Sequence, residues 1–449
     1  MSHATEIYEL PARRIESLSG GLRIAILALI VLGAIAFAAA LMADASRAWH
    51  AYLMNWLYFT TIAQGGVIIA VVVSIAKGLW SRPIRRVALS MVAFLPIAYL
   101  AAIPIVTIGA DHIFPWIEHP FTNGKENWLN QPFMAARILL GLAILFGLSL
   151  TFAYTALRPD MGLMRDSVPP RLQGTYNWFT RNWRGQEAEE LHAHRRLAVL
   201  APTTALVFAL VIGLVSWDFV MSLEPHWFST LLGPFVFMAG FLGALMTTAL
   251  IVITLRSQLG LHEWITHSTL HDLGKLCFGF TVFWGYLFFS QYIVIWYGLL
   301  PHEQSFVIHR FVPPFRIIAQ LVGLMVFVLP FFGLMGVTPK RVPAIFATFA
   351  GISLTGLWLE RYMLTYPSLY IGAETLPFSW QEPGVMLLFA GLFLGAISLF
   401  LTRFPLFQIW QPLSELELQG IAAPETRSQE GTSERYMTGD LGGADSRPE

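Results

Sequence analysis

An all-α integral membrane protein with about ten transmembrane helices is what this sequence predicts, and three observations carry the prediction. Of 449 residues, 55% are hydrophobic and only 12% are charged, about half the charge of a soluble domain. Mean hydropathy is +0.60. The apolar residues fall into runs of about 20, the length a helix needs to cross a bilayer, and the positive charges gather in alternate connections between those runs. The 28 basic and 28 acidic residues cancel, so net charge points to no partner.

The first span, Leu22–Met42, is longer than the apolar core of a signal peptide and follows Glu6, Glu9 and Glu16. It reads as a retained helix. Leu53–Ile75 carries Thr60, Thr61 and Gln64 beside Gly65–Gly66, a pattern of close helix packing or, alternatively, of a water-lined site. Arg86–Ile108 contains Pro96 and Pro104. Pro132–Ala156 and Leu197–Trp217 flank the longest connection, Arg158–Arg196, which mixes Arg171, Trp178, Arg181, Trp183 and Arg184. Such a segment lies against anionic lipid headgroups or docks a partner subunit. Leu231–Ile253, Leu270–Tyr297, Pro314–Leu334, Val342–Leu364 and Pro383–Phe404 complete the ten. The organisation is a cytoplasmic N-terminal segment (1–21), a membrane domain (22–404) and a polar tail (405–449) expected to be cytoplasmic and disordered.

Orientation follows from lysine and arginine. The termini and the even-numbered connections hold twenty of them, among them Arg85, Arg158, Arg184, Lys340 and Arg403. The odd-numbered connections hold only Arg47, Lys125, Arg310 and Arg316. Both termini are therefore expected in the cytoplasm, and the Asp218–Ser229 loop in the periplasm of a bacterial inner membrane.

The chemistry is narrowed by what the residue types exclude. A single cysteine, Cys277, leaves no disulfide framework, iron–sulfur cluster or thioether haem attachment in this chain. No histidine falls in the middle of a span, which disfavours a bis-histidine haem. Redox work would need electron acceptors on partner subunits.

Two sets of polar residues remain. In the seventh span His271, Asp272, Lys275, Tyr286 and Ser290 share an arc of about 100°. Positions 271 to 290 cover about 28 Å of helix rise, close to the hydrocarbon thickness. Such a stripe lines a proton path or, more simply, an interhelical hydrogen-bonding face in which Asp272 and Lys275 neutralise each other. At the periplasmic span ends lie Asp111, His112, His119, Arg137, Asp218, Glu224, His226, Glu360 and Arg361, with Trp116, Trp217, Trp227, Trp296 and Trp358. This composition suits a quinone pocket, with His112, Arg137, Asp218, Glu224 and His226 as its candidates. It equally suits an aromatic belt with snorkelling charges.

The segments SWDFVMSLEPHWFSTLLGPF (216–235) and LHDLGKLCFGFTVFWGYLFFSQYIVIWYGLLPHEQ (270–304) resemble a known family. They are similar to the ActF-type second quinone-binding membrane subunit of alternative complex III, the bacterial quinol:cytochrome c oxidoreductase, within the wider NrfD/polysulfide-reductase group. The resemblance implies NrfD-like helix bundles and a quinone or menaquinone ligand. It also implies a periplasmic iron–sulfur subunit, c-type cytochrome subunits and a paralogous ten-helix subunit as partners. The segment GLWLERYMLTYPSLY (356–370) looks more like the paralogue credited with the quinol site, so which of the two holds that site stays open. Two other readings compete: a secondary transporter, whose inverted repeats and broken helices are not visible here, and a subunit that only completes the membrane sector.

Overall fold

The structure, a computed structural model, describes residues 10–410 apart from 12 and 123. Among the described residues there is no strand, and ten helices are long and apolar enough to cross a membrane. They are α1 (Gly20–Ala43), α2 (Ala45–Ile75), α3 (Leu79–Val106), α4 (Gln131–Ser167), α5 (Gln186–Leu223), α6 (Leu232–Gln258), α7 (His267–Gly298), α8 (Arg316–Met335), α9 (Pro343–Leu369) and α10 (Gln381–Arg403).

Side-chain caps start several of them. The carboxylate of Asp44 accepts from Arg47 N at 3.1 Å, Asn130 accepts from Phe133 N at 3.0 Å, and Thr266 accepts from Thr269 N at 3.2 Å. Each satisfies an amide that the first helical turn leaves unpaired. These caps explain where helices outrun the apolar runs. The second span was expected from Leu53, but the helix starts at Ala45 because Asp44 caps it. The long connection expected at Arg158–Arg196 is largely helix, since α4 runs to Ser167 and α5 starts at Gln186, with a short helix at Pro170–Phe179 between them.

Packing gives two four-helix groups, α2–α5 and α6–α9, with α1 lying along α10 at the side of α2. The groups meet where α2 crosses α6. A Cβ on Gly65 would stand 2.8 Å from the Gly240 carbonyl oxygen, and one on Gly240 would stand 2.6 Å from the Thr61 Cβ. Real Cβ atoms do not approach so closely, so glycine sets the helix separation here, the expected role of the Gly65–Gly66 pair. α2 is consequently the most enclosed span, buried along nearly its whole length.

Segments before α1 and after α10 meet at one end of the bundle, where Leu406 N donates to the Arg13 carbonyl at 2.8 Å. Residues 405–410, expected to begin a disordered tail, are packed instead. Leu406, Phe407 and Trp410 are buried. The amides of Ile409 and Trp410 donate to Asp160 at 3.0 and 2.9 Å, and Asp160 is also paired with Arg86. Four polar contacts from chain segments far apart in sequence thus close this basic end. The remainder of the expected tail, 411–449, lies outside the described residues, as do 1–9 of the N-terminal segment.

Candidate functional site

At the opposite end, which carries the sparsely basic connections, the five expected pocket residues fall into separate places. Asp218 sits on the last turn of α5, fully buried. Arg137, on the second turn of α4, grips it with two parallel bonds, Nε to Oδ2 at 2.7 Å and Nη2 to Oδ1 at 2.6 Å. The Trp128 indole adds a third donor to Oδ1 at 3.2 Å. The guanidinium stacks over Trp128 and Phe133, 4.1 and 4.7 Å from their centroids. A carboxylate held by three donors is a brace between α4 and α5, with little capacity left for a ligand.

Glu224 lies in the loop after α5 and belongs to a second network. It accepts from Ser305 at 2.8 Å and Ser368 at 3.1 Å, with His309 at 3.5 Å and Arg310 at 3.6 Å. Arg310, on a short helix Pro301–Phe311, donates to the carbonyls of Phe306, Met363 and Leu364 and to Ser368. Its guanidinium lies 3.3 Å from the Phe306 ring centroid, and Phe306 stacks on Trp227. Burial pulls Arg310 down to about 9, opposed by the Glu224 charge. It stays cationic at neutral pH and locks the loop, the short helix and the end of α9 together.

His226 and His112 join neither network. His226 is exposed, edge-on to Phe121. His112 is exposed, with Nδ1 3.2 Å from Ser46 Oγ.

The polar residues expected to line α7 differ in exposure, and two of them face outward. Tyr286 is 62% exposed. The Lys275 side chain is 58% exposed and pairs with Asp272 at 2.7 Å. His271 and Ser290 are half-buried. At the basic end His271 Nδ1 is buried, with Lys340 and Arg341 close by, whereas among the described residues no hydrogen bond or ion pair ties Tyr286 to another helix.

Two buried carboxylates have a larger part in the structure than the sequence indicated. Glu382, at the start of α10, is fully buried. It binds Arg47 at 2.9 and 3.2 Å, the Tyr366 hydroxyl at 2.9 Å and Ser379 N at 2.7 Å, joining α2, α9 and α10. Arg47 and Glu382 are separated by 335 positions, and no local pattern links them.

Glu360 differs from every other carboxylate at this end. It is 3% exposed, yet neither of its oxygens has a hydrogen-bond partner among the described residues. Arg361, 3.8 Å away, neutralises it in part while donating to Val236 O at 3.1 Å. The Trp284 indole N–H lies near the carboxylate without closing a hydrogen bond. Glu360 lines a cavity of about 90 Å³ whose walls include Phe235, Trp284, Phe288, Gln291, Phe306 and Arg310. Phe288, Tyr292 and Phe311, also on its walls, are 40%, 37% and 44% exposed, so the cavity opens on the lipid-facing side between α7 and α8. A buried carboxylate without hydrogen-bond donors costs several kcal/mol, a cost that Arg361 offsets only in part. The cavity is apolar and aromatic, smaller than an ordinary ligand site of roughly 300 Å³ or more, with the Glu360 carboxylate and the Trp284 indole on its wall.

No protein-family model matches the chain, and none of the curated proteins compared with it does.

Proposed function

We propose that this chain is the ten-helix membrane subunit of a quinol-oxidising respiratory complex of the alternative complex III type, in a bacterial inner membrane. The two motifs at 216–235 and 270–304 support that family reading. The Glu360 cavity is the observation that carries the chemistry. A quinol enters from the bilayer through the gap edged by Phe288, Tyr292 and Phe311. Its hydroxyl donates to the Glu360 carboxylate, and the Trp284 N–H donates to its oxygen. Aromatic walls keep water from the ring. Oxidation of a quinol to the quinone releases two electrons and two protons; Glu360 receives one proton at its carboxylate, and the other passes to water on the periplasmic side. The electrons leave to a periplasmic iron–sulfur subunit and on to c-type cytochrome subunits, with a paralogous ten-helix subunit alongside. On this reading Asp218 and Glu224 brace the site, and the quinone pocket lies in the α6–α9 group.

Glu360→Gln is the test. It keeps shape and removes the proton acceptor, so quinol oxidation by the assembled complex should fall by about a hundredfold with subunit composition unchanged. Quenching of tryptophan fluorescence by a quinone analogue, lost in Trp284→Phe, would report occupancy directly. Unchanged turnover in Glu360→Gln would remove this cavity from the reaction. A chain purified without iron–sulfur or haem partners would remove the respiratory reading altogether.

A further inference from the structure

A second cavity, of about 360 Å³, lies between the ends of α4 and α5 at the basic end of the bundle. Arg158, Arg181, Arg184, Arg196 and His192 line it, with Glu189 as its one carboxylate. Arg158 takes that carboxylate with two bonds, Nε to Oε2 at 2.7 Å and Nη2 to Oε1 at 2.8 Å, and also donates to the carbonyls of Phe179 and Arg181. Among the described residues no carboxylate pairs with Arg181, Arg184 or Arg196. Three solvent-exposed guanidinium groups on one concavity make a positive field that attracts an anion.

What lies beside the cavity narrows the anion. Helix periodicity continues its walls into two apolar stripes. On α5, Arg196 is followed on the same face by Val199, Leu206 and Leu210, which are 67%, 62% and 65% exposed. On α4, Arg158 and Tyr154 continue through Leu150 to Ile144 and Leu140, which are 41%, 48% and 63% exposed. At 1.5 Å per residue the stripes extend about 21 Å from Arg196 to Leu210 and about 27 Å from Arg158 to Leu140, enough to cover the roughly 15 Å of hydrocarbon in one leaflet. Trp178, 62% exposed and edge-on to Tyr154, stands at the rim as an interfacial aromatic does.

We propose that this cavity binds the phosphate of an anionic phospholipid, with the acyl chains lying along the α4 and α5 stripes. Free phosphate would use the cations but not the stripes. An acidic protein segment would likewise leave the stripes uncovered. The guanidinium fork suits phosphate oxygens, and basic pockets between membrane helices are a recurrent headgroup site.

The test uses the full chain, delipidated in detergent and titrated with phosphatidylglycerol or with phosphatidylcholine of the same acyl chains, with binding read by native mass spectrometry. Phosphatidylglycerol should bind, and phosphatidylcholine should not compete. The double variant Arg181→Gln/Arg196→Gln should bind phosphatidylglycerol about thirtyfold more weakly. It spares the Arg158–Glu189 pair, so its melting temperature should match the wild type. Wild-type affinity should also fall with added salt, a readout that needs no variant. Equal binding of phosphatidylcholine, an unweakened variant or a salt-independent affinity would each overturn the proposal. So would full displacement of the lipid by inorganic phosphate, or an acidic protein occupying the site in its place.

Discussion

At the scale of single residues, the cation–carboxylate pairs divide by burial. Lys275 and Asp272 are half-exposed, and such a pair contributes at most about 1 kcal/mol. Asp218 is fully buried against a nearly buried Arg137 side chain, and removing one partner of such a pair costs about 3–5 kcal/mol, because the other charge is stranded. Asp218→Ala is therefore expected to lower the thermal stability of the solubilised protein sharply. Arg137→Leu/Asp218→Leu, which removes both charges, should recover much of the loss. Size-exclusion profiles after stepwise heating read both. If Asp218→Asn is as stable as the wild type and yet abolishes turnover, the brace is the wrong description and Asp218 belongs to the reaction. The sequence marked Asp218 and Glu224 as quinone-pocket candidates by composition, and the structure gives each an arginine partner. Composition alone does not separate a charge that binds a ligand from one that binds an arginine. Separation needs the partner, and Arg137 lies 81 positions before Asp218. Glu360 was visible as one charge among many at that end. Its distinction, two oxygens without donors, exists only once α7 and α9 are packed.

At the scale of elements, hydropathy located all ten spans, because a helix in lipid has to satisfy its own backbone and cover it with apolar side chains. What it missed were the ends. α2, α4 and α5 continue through polar residues such as Arg47, Arg158 and Glu189, whose partners lie on other helices. The same continuation turned an expected loop into the wall of the basic cavity. The contact of α2 with α6 was legible in part from Gly65–Gly66, but its partner surface, Gly240 and Gly243, was not singled out. There a Cβ has no room, so Gly240→Leu should force the two four-helix groups apart. We expect several kcal/mol of destabilisation, more than overpacking costs in a core that relaxes, since the clash is with the backbone carbonyl of Thr61 as well as its side chain. Gly147→Leu, where nothing lies within 4 Å of a built Cβ, is the matched control. Equal yields of folded protein from the two variants would show that glycine does not set this crossing.

For the whole molecule, the outward face of α7 decides what the chain does alone and what it does in company. A proton path needs walls on all sides to exclude lipid and hold water. Here Lys275 and Tyr286 are exposed, and Lys340 and Arg341 stand near the stripe only at its basic end. On the proposed reading, proton transfer along this stripe would need a second subunit covering α7, and the isolated chain should be proton-tight. Two experiments separate these states. Proteoliposomes of the chain alone should hold a pH gradient as well as empty liposomes do. In the assembled complex, Lys275→Met should lower the number of protons released per quinol while leaving assembly intact, because the pair it removes adds so little to stability. A leak in the first experiment would place a closed path inside this chain, against the exposure of its stripe. Unchanged proton release in the second would leave α7 as a packing surface whose polar groups only match those of its neighbour. Glu360, buried and without a hydrogen-bond donor among the described residues, would then remain as the proton acceptor of the proposed reading.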